Sequence, residues 1–218
     1  MLFENKGAQK YFDSIPDQWD AIYSNENWFK FLFNRLFRSG IYARYNFTFE
    51  QAGDVTNAAV LDIGCGSGRA SIEFAKRGAR RVVGIDFAPA MIDFAEQMAE
   101  QFGVGRKCEF ICNDFLSYPF NEQFDIIIAQ GVFDYVKHPE ALFRKAAQLS
   151  PRMFIASFPR FTPVWGLQRH IRYYYIKRCP IYNYTRDQIE RLCLDAGFPH
   201  HLILERKHGF LLRAGQQP

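Results

Sequence analysis

The stretch that decides the fold is Val60-Leu-Asp-Ile-Gly-Cys-Gly-Ser-Gly68, followed by Val82-Val-Gly-Ile-Asp86. The first segment is an apolar run that ends in an acid and three alternating glycines, and the second is an apolar run that ends in Asp86. Glycines let the backbone pass close to a ligand without a side chain in the way. An acid at the end of the next strand accepts hydrogen bonds from ribose hydroxyls. The two segments together predict a nucleoside-cofactor site at the edge of a parallel sheet.

The glycine spacing narrows the kind of cofactor. Dinucleotide-binding loops use G-x-G-x-x-G, in which the third glycine allows a helix to pack closely on a strand. Here the glycines are Gly64, Gly66 and Gly68, and Arg69 stands at the position of that third glycine. The Gly-Lys-Ser/Thr that ends a P-loop does not follow. The spacing therefore disfavours NAD and nucleotide-sugar enzymes, while an ordinary glycine turn after a buried strand is the structural alternative.

Apolar runs and helical patterns alternate along the rest of the chain. Strands are predicted over residues 58–63, 81–85, 108–112, 124–129, 153–158, 202–205 and 209–213, and helices over 69–77, 89–102, 140–149 and 186–196. This alternation predicts a doubly wound parallel sheet, with the last two strands antiparallel. Right-handed crossovers bring the carboxyl ends of the parallel strands to one rim, where ligands bind. The rim residues expected from this arrangement are Gly64, Asp86, Asp114 and Gln130.

The segment from Asp62 to Gly68 follows the pattern acid-x-Gly-x-Gly-x-Gly. It resembles motif I of the class I methyltransferases that depend on S-adenosylmethionine (SAM). The resemblance covers roughly residues 58–158 with matched motifs. It implies an α/β fold with a doubly wound, mostly parallel seven-stranded sheet, an N-terminal helical lid and a helical insertion before the last two strands. It also implies SAM as cofactor, S-adenosylhomocysteine (SAH) as product, and methyltransferase activity.

The glycine turn and the acids beside it are the first candidate cofactor residues. Gly64, Cys65 and Gly66 are expected to contact the methionine end of SAM. Asp62 is expected to support that loop or to meet the SAM amino group through water, with a solvated acid at the strand end as the alternative. Asp86 is expected to bind the ribose, and it is also placed to act as an acid at a helix N-terminus, where the helix dipole favours it.

The adenine is expected to lie between the ends of the second and third strands. Phe87 and Met91 are candidates for its faces, with core packing as an equal alternative for Met91. The resemblance implies that Asp114, in Asn113-Asp114-Phe115, accepts from the adenine amino group while the next backbone N–H meets a ring nitrogen. A capped turn is the alternative for these residues.

The segment Gln130-Gly131-Val132-Phe133-Asp134-Tyr135 follows the fourth strand. In the family this strand end offers carbonyls to the SAM ammonium group, so Gln130 and Gly131 are candidate cofactor residues. Many relatives carry an acid-His pair around positions 134 and 135, and this chain has Asp134-Tyr135 instead. Tyr135 is expected to position a substrate, because a phenol with a pKa of about 10 is a poor base at pH 7. His170 is the second catalytic candidate.

Head and tail segments show a weaker local similarity to the magnesium-protoporphyrin O-methyltransferase branch. The head is Tyr11-Phe-Asp with Trp19 and Ile22-Tyr23, and the tail is Phe158-Pro-Arg-Phe-Thr-Pro. In that arrangement Tyr11 and Arg44 close over the SAM carboxylate. A solvated surface cation is the equal alternative for Arg44.

Length and composition limit the possible domain organisation. The 218 residues, 48% of them hydrophobic, suit one α/β domain with a decorating subdomain. Residues 1–57 are predicted to form an N-terminal helical lid, and residues 58–218 the SAM-binding domain with a substrate-lid insertion at about 159–184. The insertion is basic and aromatic, which indicates either a pocket for an anionic or aromatic small molecule or an amphipathic surface helix.

Charge and cysteine usage limit the partners. A formal charge of +4 does not demand nucleic acid. The five cysteines contain no C-x-x-C, so neither a metal site nor a disulfide framework is expected. No segment is a signal peptide or a membrane span by its apolar length, so a cytoplasmic protein is expected, with the oligomeric state open.

The sequence therefore predicts a SAM-dependent methyltransferase for a small-molecule acceptor, acting on oxygen by in-line displacement. Two alternatives stay open. One is an RNA or protein methyltransferase, which predicts a broader cationic face. The other is a non-catalytic SAM- or SAH-binding regulatory protein, in keeping with the missing histidine at position 135.

Overall fold

The computed structural model describes residues 39–149, 151–161, 181–207 and 209–215. The helices of this part are α1 (Ser39–Ala52), α2 (Arg69–Lys76), α3 (Pro89–Gln101), α4 (Glu140–Gln148) and α5 (Arg186–Ala196). The strands are β1 (Ala59–Ile63), β2 (Arg81–Asp86), β3 (Cys108–Cys112), β4 (Ile126–Ala129), β5 (Met153–Pro159), β6 (His200–Arg206) and β7 (Gly209–Gly215). One short 3₁₀ helix, Gly105–Lys107, precedes β3.

The seven strands form one sheet in the order β3-β2-β1-β4-β5-β7-β6. Strands β1 to β5 run parallel to one another, and β7 runs antiparallel to both β5 and β6. The predicted doubly wound, mostly parallel sheet with an antiparallel final pair is confirmed. The strand order reverses between β1 and β4, and a crevice outside the carboxyl ends of the strands at such a point is where ligands bind in open α/β sheets.

Both faces of the sheet are covered by apolar side chains. Along β1 the residues alternate between two clusters, with Leu61 and Ile63 facing one and Val60 the other. The first cluster includes side chains from α4 and α5, and the second includes side chains from α1 and α2. Burial on both faces explains why β1, β4 and β5 appear in the sequence as continuous apolar runs.

Helix α1 is the described part of the predicted N-terminal lid. Its side chains Phe47, Phe49 and Ala52 are buried against the sheet, and the ring centroids of Phe49 and Phe74 are 4.7 Å apart. This helix therefore packs into the core of the domain. Residues 1–38 of the predicted lid, and residues 162–180 of the predicted insertion, lie outside the described residues.

Helix and strand ends agree with the predicted ones to within two residues, and the differences of two residues are at the start of β4, the start of β6 and the end of β7. The predicted strand at 124–129 begins at Ile126, because the N–H of Phe124 donates to the carbonyl of Leu149 and lies outside the sheet. Strand β6 begins at His200, two residues earlier than predicted, since it pairs with β7 along its whole length. Thr185 forms the expected N-cap of α5 as part of a capping box with Gln188.

Within the described ranges no helix is long and apolar enough to span a bilayer.

Candidate functional site

The glycine turn lies between β1 and α2, and its three glycines all have left-handed backbone conformations, with φ of 67°, 52° and 72° at Gly64, Gly66 and Gly68. A Cβ on Gly64 would lie 2.6 Å from Cγ2 of Val132, and one on Gly68 would lie 2.8 Å from Cβ of Ala95. A Cβ on Gly66 would have no atom within 4 Å. Gly64 and Gly68 are therefore required by packing, whereas Gly66 borders open space.

Gly68 makes the close helix packing that the dinucleotide motif assigns to its third glycine. The side chains it approaches belong to α3 and β3, Ala95 and Phe110. In the dinucleotide motif the third glycine would stand one residue further on, at the position of Arg69. The spacing of the glycines therefore distinguishes this turn from a dinucleotide loop, although Gly68 meets the same packing requirement.

Asp86, at the end of β2, lies beneath the glycine turn. One carboxylate oxygen accepts from the N–H of Gly66 at 2.9 Å and the other from the N–H of Ala88 at 3.0 Å, at the start of α3. The side chain is buried. Asp86 thus fixes the backbone at Gly66, the glycine that borders open space, and also serves as the acid at the N-terminus of α3.

Asp62 is fully enclosed behind the same turn. Its carboxylate accepts from the hydroxyl of Ser71 on α2 at 2.7 Å. Burial raises the pKa of Asp62 to about 7; the hydrogen bond from Ser71 opposes this shift and the charge of Asp86 adds to it. Of the roles considered for Asp62, support of the loop agrees with this geometry, and a solvated acid is wrong because the residue is only 3% exposed.

Cys65 also faces inward. Its sulfur would lie 3.0 Å from a Cβ on Gly84 of β2, and burial raises the pKa of its thiol well above the ordinary value. At the turn, Cys65 therefore offers a ligand only its backbone.

The predicted adenine residues are brought together at the ends of β2 and β3, where the N–H of Asn113 donates to the carbonyl of Asp86. Asp114 accepts from the N–H of Leu116 at 2.8 Å, which is the capped turn that the sequence left as an alternative. Phe115 is 2% exposed and belongs to the core. These contacts place the backbone of this segment at the rim and the side chain of Phe115 beneath it.

Two other residues flank the same place. Met91, on the first turn of α3, is 2% exposed, which agrees with the core-packing alternative. Phe87 follows Asp86 directly and is partly exposed. Of the aromatic and sulfur side chains predicted for the adenine faces, Phe87 is the accessible one.

The end of β4 carries a buried polar side chain. Both amide atoms of Gln130 are inaccessible to solvent and make no hydrogen bond in the described part of the chain. Leaving such a group unsatisfied costs about 1–3 kcal/mol. The next residue, Gly131, has φ 77° and donates its N–H to the hydroxyl of Ser157 on β5 at 3.0 Å.

Arg44 connects α1 to this strand end. Its Nη1 lies 3.3 Å from Oδ2 of Asp134 and would lie 3.1 Å from a Cβ on Gly131. The Asp134 side chain is 5% exposed and that of Arg44 is 30% exposed. A free surface cation, the alternative considered for Arg44, is therefore wrong.

Tyr135 follows Asp134 in a turn, and the N–H of Tyr135 donates to the carbonyl of Val132. Two contacts from the C-terminal end of the predicted insertion hold this turn: the N–H of Tyr182 donates to the carbonyl of Asp134, and the hydroxyl of Tyr184 donates to the carbonyl of Val136. Tyr135 itself is partly exposed. The other catalytic candidate, His170, and the cofactor candidate Tyr11 lie outside the described residues.

Two observations test whether this rim fits SAM. Gly66 borders open space directly above a buried carboxylate, and the Gln130 amide is polar, enclosed and without a hydrogen bond among the described residues. Both features suit a ligand that carries hydroxyl, amine and carboxylate groups. In the same ranges, no three His, Cys, Asp or Glu side chains cluster in a way that would hold a metal ion.

Comparison with known proteins agrees with this geometry. Residues 60–150 match the family model described as a methyltransferase domain. The chain is 30% identical over 136 residues to a ubiquinone biosynthesis O-methyltransferase of Pasteurella multocida, covering 57% of this chain and 56% of that protein. It is 36% identical over 87 residues to a magnesium-protoporphyrin O-methyltransferase of Rhodobacter capsulatus, covering 40% and 38%. The chain thus spans about half, or less, of these relatives.

Solved structures extend the likeness in fold. A magnesium protoporphyrin IX methyltransferase from Synechocystis PCC 6803 with bound SAH superposes with a TM-score of 0.73 at 22% identity, covering 95% of this chain and 96% of that one. A geranyl diphosphate C-methyltransferase from Streptomyces coelicolor gives 0.69 at 15% identity, with the same coverage.

Residues 60–150 thus match a methyltransferase domain, and the sheet around them has the fold of the SAM-dependent methyltransferase structures. The chain also has a weak similarity to the magnesium-protoporphyrin methyltransferase branch.

Three side-chain features of the site were not expected from the sequence. They are the hydroxyl of Ser157 beneath Gly131, the carboxylate of Asp134 facing Arg44, and the enclosed amide of Gln130, a residue expected to contact the cofactor through its backbone carbonyl. The first two are contacts across 26 and 90 residues of sequence, for which no local pattern exists.

Proposed function

We propose that the protein is a SAM-dependent methyltransferase that transfers a methyl group to the oxygen of a small-molecule acceptor. The observation that carries this proposal is the glycine turn held over Asp86, with open space at Gly66. Oxygen as the target is supported by the relatives, two of which are described as O-methyltransferases.

In this proposal the cofactor lies along the rim formed by the ends of β1 to β4. The turn at Gly64–Gly66 and the amide of Gln130 contact its methionine end, with Gly131, Arg44 and Tyr11 around them. Asp86 binds the ribose. The backbone at Asn113, Asp114 and Phe115 meets the adenine edge, and Phe87 lies at its face, with Met91 packed in the core beneath. When bound, SAM supplies an electrophilic methyl group.

The protein's contribution to such a reaction is alignment. A displacement requires the acceptor oxygen to lie in line with the methyl carbon and its leaving sulfur, and well-aligned groups gain up to about 7–11 kcal/mol in barrier reduction. The bond from Gly131 to Ser157 fixes the end of β4, and the contacts of Tyr182 and Tyr184 fix the turn after it. Tyr135, on that turn, positions the acceptor, and His170 is the remaining candidate for a proton acceptor.

Proton removal is a separate requirement. A general base contributes about 10²–10⁴-fold where the nucleophile must lose a proton. Asp134 is engaged by Arg44 at 3.3 Å, so it is held as a structural carboxylate in this arrangement. An acceptor that is already ionised at neutral pH needs no base, and such an acceptor suits this rim.

Label transfer tests the proposal. The full chain is incubated with methyl-labelled SAM and an extract of the source cells, and the products are separated into small-molecule, lipid, RNA and protein fractions. We expect label in the small-molecule or lipid fraction, and none with Asp86→Asn. Asp93→Asn, an exposed acid on α3, is the matched control and is expected to behave as the unaltered protein.

The other outcomes discriminate between functions. Label in RNA or protein would show that the acceptor is a macromolecule and not a small molecule. No label in any fraction from an extract that contains the acceptor, together with intact SAH binding, would support a non-catalytic SAH-binding role.

A further inference from the structure

A second cavity lies beside the candidate cofactor rim, between α1, the end of β5 and the turn that joins β6 to β7. Its volume is about 200 Å³. The walls are mainly apolar and are formed by Ala43, Phe158, Phe210 and Leu211. The sequence predicted an N-terminal lid and a substrate-lid insertion at about 159–184, and nothing in it pointed to the β6–β7 turn as part of an acceptor pocket.

The cavity and the cofactor rim share two residues. Ser157 lines the cavity and accepts the N–H of Gly131 at the end of β4. Arg44 lines the cavity, contacts Asp134, and lies where a Cβ on Gly131 would be 3.1 Å from its Nη1. A molecule in the cavity would therefore extend toward the strand end where the methyl group is proposed to lie.

The turn side of the cavity is cationic. Arg206 and Lys207 line it, and both are exposed. In the described part of the chain neither has an ion-pair partner, and the one contact of the Arg206 guanidinium is a weak hydrogen bond of 3.4 Å to the neighbouring carbonyl of Glu205. The carboxylate of Glu205 is paired with Arg160, so these two charges offset one another. Two net positive charges remain beside an apolar cavity.

The volume limits the size of the occupant. A cavity of about 150 Å³ holds a benzene molecule, so 200 Å³ accommodates one six-membered ring or a short branched chain with a few further atoms. A carboxylate or phosphate attached to such a group would reach the cations at the mouth.

We propose that this cavity binds the methyl acceptor and that the acceptor is a small amphipathic anion. Its apolar part occupies the space between Phe158, Phe210 and Leu211, and its acidic group pairs with Arg206 and Lys207. This inference rests on the proposed methyltransferase function, because it assigns the acceptor subsite of that reaction.

Benzoate and benzamide are a matched pair of probes, because they have nearly the same shape and differ in charge. Their dissociation constants are measured by ligand-observed NMR on the full chain, with and without saturating SAH. We expect benzoate to bind at least 5-fold more tightly than benzamide. In Arg206→Gln/Lys207→Gln, benzoate is expected to weaken to the level of benzamide. Ala43→Phe, which fills the cavity without changing charge, is expected to remove binding of both probes.

The control is Arg144→Gln/Arg152→Gln, which removes two exposed positive charges from residues that do not line the cavity. It is expected to bind benzoate as the unaltered protein does. Equal affinities for benzoate and benzamide, no benzoate binding at millimolar concentration, or unchanged affinity in the Arg206/Lys207 variant would each overturn the proposal.

Calorimetry with SAH on the same samples distinguishes failure of the acceptor subsite from failure of the proposed methyltransferase function. SAH binding without charge-dependent benzoate binding rejects the acceptor subsite alone. Absence of SAH binding rejects the methyltransferase proposal, whatever the result with benzoate.

Discussion

The guanidinium of Arg44 on α1 lies 3.3 Å from the carboxylate of Asp134 in the turn after β4. The two residues are 90 positions apart, and their contact joins the helix before the sheet to the strand end at the centre of the rim. Because Asp134 is almost fully buried and Arg44 is partly exposed, the pair differs from a surface salt bridge, whose contribution is typically about 0–1 kcal/mol.

We therefore expect the two residues to be energetically coupled. Arg44→Gln and Asp134→Asn should each lower the free energy of unfolding, and the double variant should lose less than the sum of the two. Contacting residues typically show coupling of about 0.5–3 kcal/mol. Urea denaturation of the four proteins measures this coupling, with the exposed pair Arg77 and Glu73 as the control cycle. Additive losses would contradict a stabilising contact.

Two similar substitutions in the glycine turn are expected to have effects of different size. Gly66→Ala places a methyl group in open space, so the cost to folding is that of a left-handed alanine, about 1–2 kcal/mol. Gly68→Ala places it 2.8 Å from Ala95, which adds overpacking of about 1–3 kcal/mol. We expect Gly66→Ala to reduce SAH affinity at least 10-fold with the smaller loss of stability. Thermal unfolding and calorimetry measure both quantities, and equal affinity in Gly66→Ala and the unaltered protein would contradict a ligand at this turn.

Because the amide of Gln130 is unsatisfied, its removal is expected to raise the stability of the fold and to lower its affinity for SAH. Gln130→Met keeps an unbranched side chain of similar length and removes the buried polar atoms. In the absence of ligand, we expect the free energy of unfolding to rise by about 1–2 kcal/mol, because the cost of an unsatisfied polar group is relieved. The affinity for SAH should fall. A variant that is less stable and binds SAH normally would show that the amide has a structural partner instead.

Asp62 predicts a pH dependence of stability. Its folded pKa of about 7 lies above the value of about 4 for an unfolded aspartate. Between these values the folded state holds a proton that the unfolded state has released, so the free energy of unfolding decreases as pH rises from about 4 to about 7. Since one pKa unit corresponds to about 1.4 kcal/mol, the effect is a few kcal/mol at most.

Asp62→Asn should flatten the stability profile over that pH range, because asparagine does not titrate. Denaturation at pH 5, 6, 7 and 8 measures the profile, with Asp93→Asn, an exposed acid, as the control. Parallel profiles for Asp62→Asn and the unaltered protein would mean that Asp62 is ionised across the range and that its pKa is not raised.

The parts of the fold that sequence could predict are those governed by local pattern. β1 and β5 are apolar on both faces, and α5 has a capping box and a terminal glycine, so their limits follow from neighbouring residues. The position of Asp86 at the end of β2 follows from strand alternation alone. The start of β4 was misplaced because its apolar run continues through Phe124, whose N–H bonds to the loop after α4 rather than to the sheet.

The site was less accessible to prediction where it depends on contacts between distant segments. The roles of Asp62 and Arg44 each had two alternatives, and only the positions of Ser71 and Asp134 distinguish them. Met91 had adenine contact and core packing as equal alternatives, and its side chain is buried, whereas the buried side chain of Phe115 leaves open the backbone contact predicted for that residue. The cavity beside Arg206 and Lys207 requires α1, β5 and the β6–β7 turn to meet, which no spacing within the sequence specifies.

We propose that the glycine turn and Asp86 form a SAM site, and calorimetric titration of SAH into the full chain and into Asp86→Asn is the decisive test of this claim. Because Asp86 also accepts from Gly66 and Ala88, some loss of stability is expected, so each protein is titrated well below its Tm. We predict one SAH per chain for the unaltered protein and for Asp93→Asn, and at least a 10-fold weaker affinity for Asp86→Asn. SAH binding of equal strength in all three proteins would contradict the claim, and so would its absence from all three.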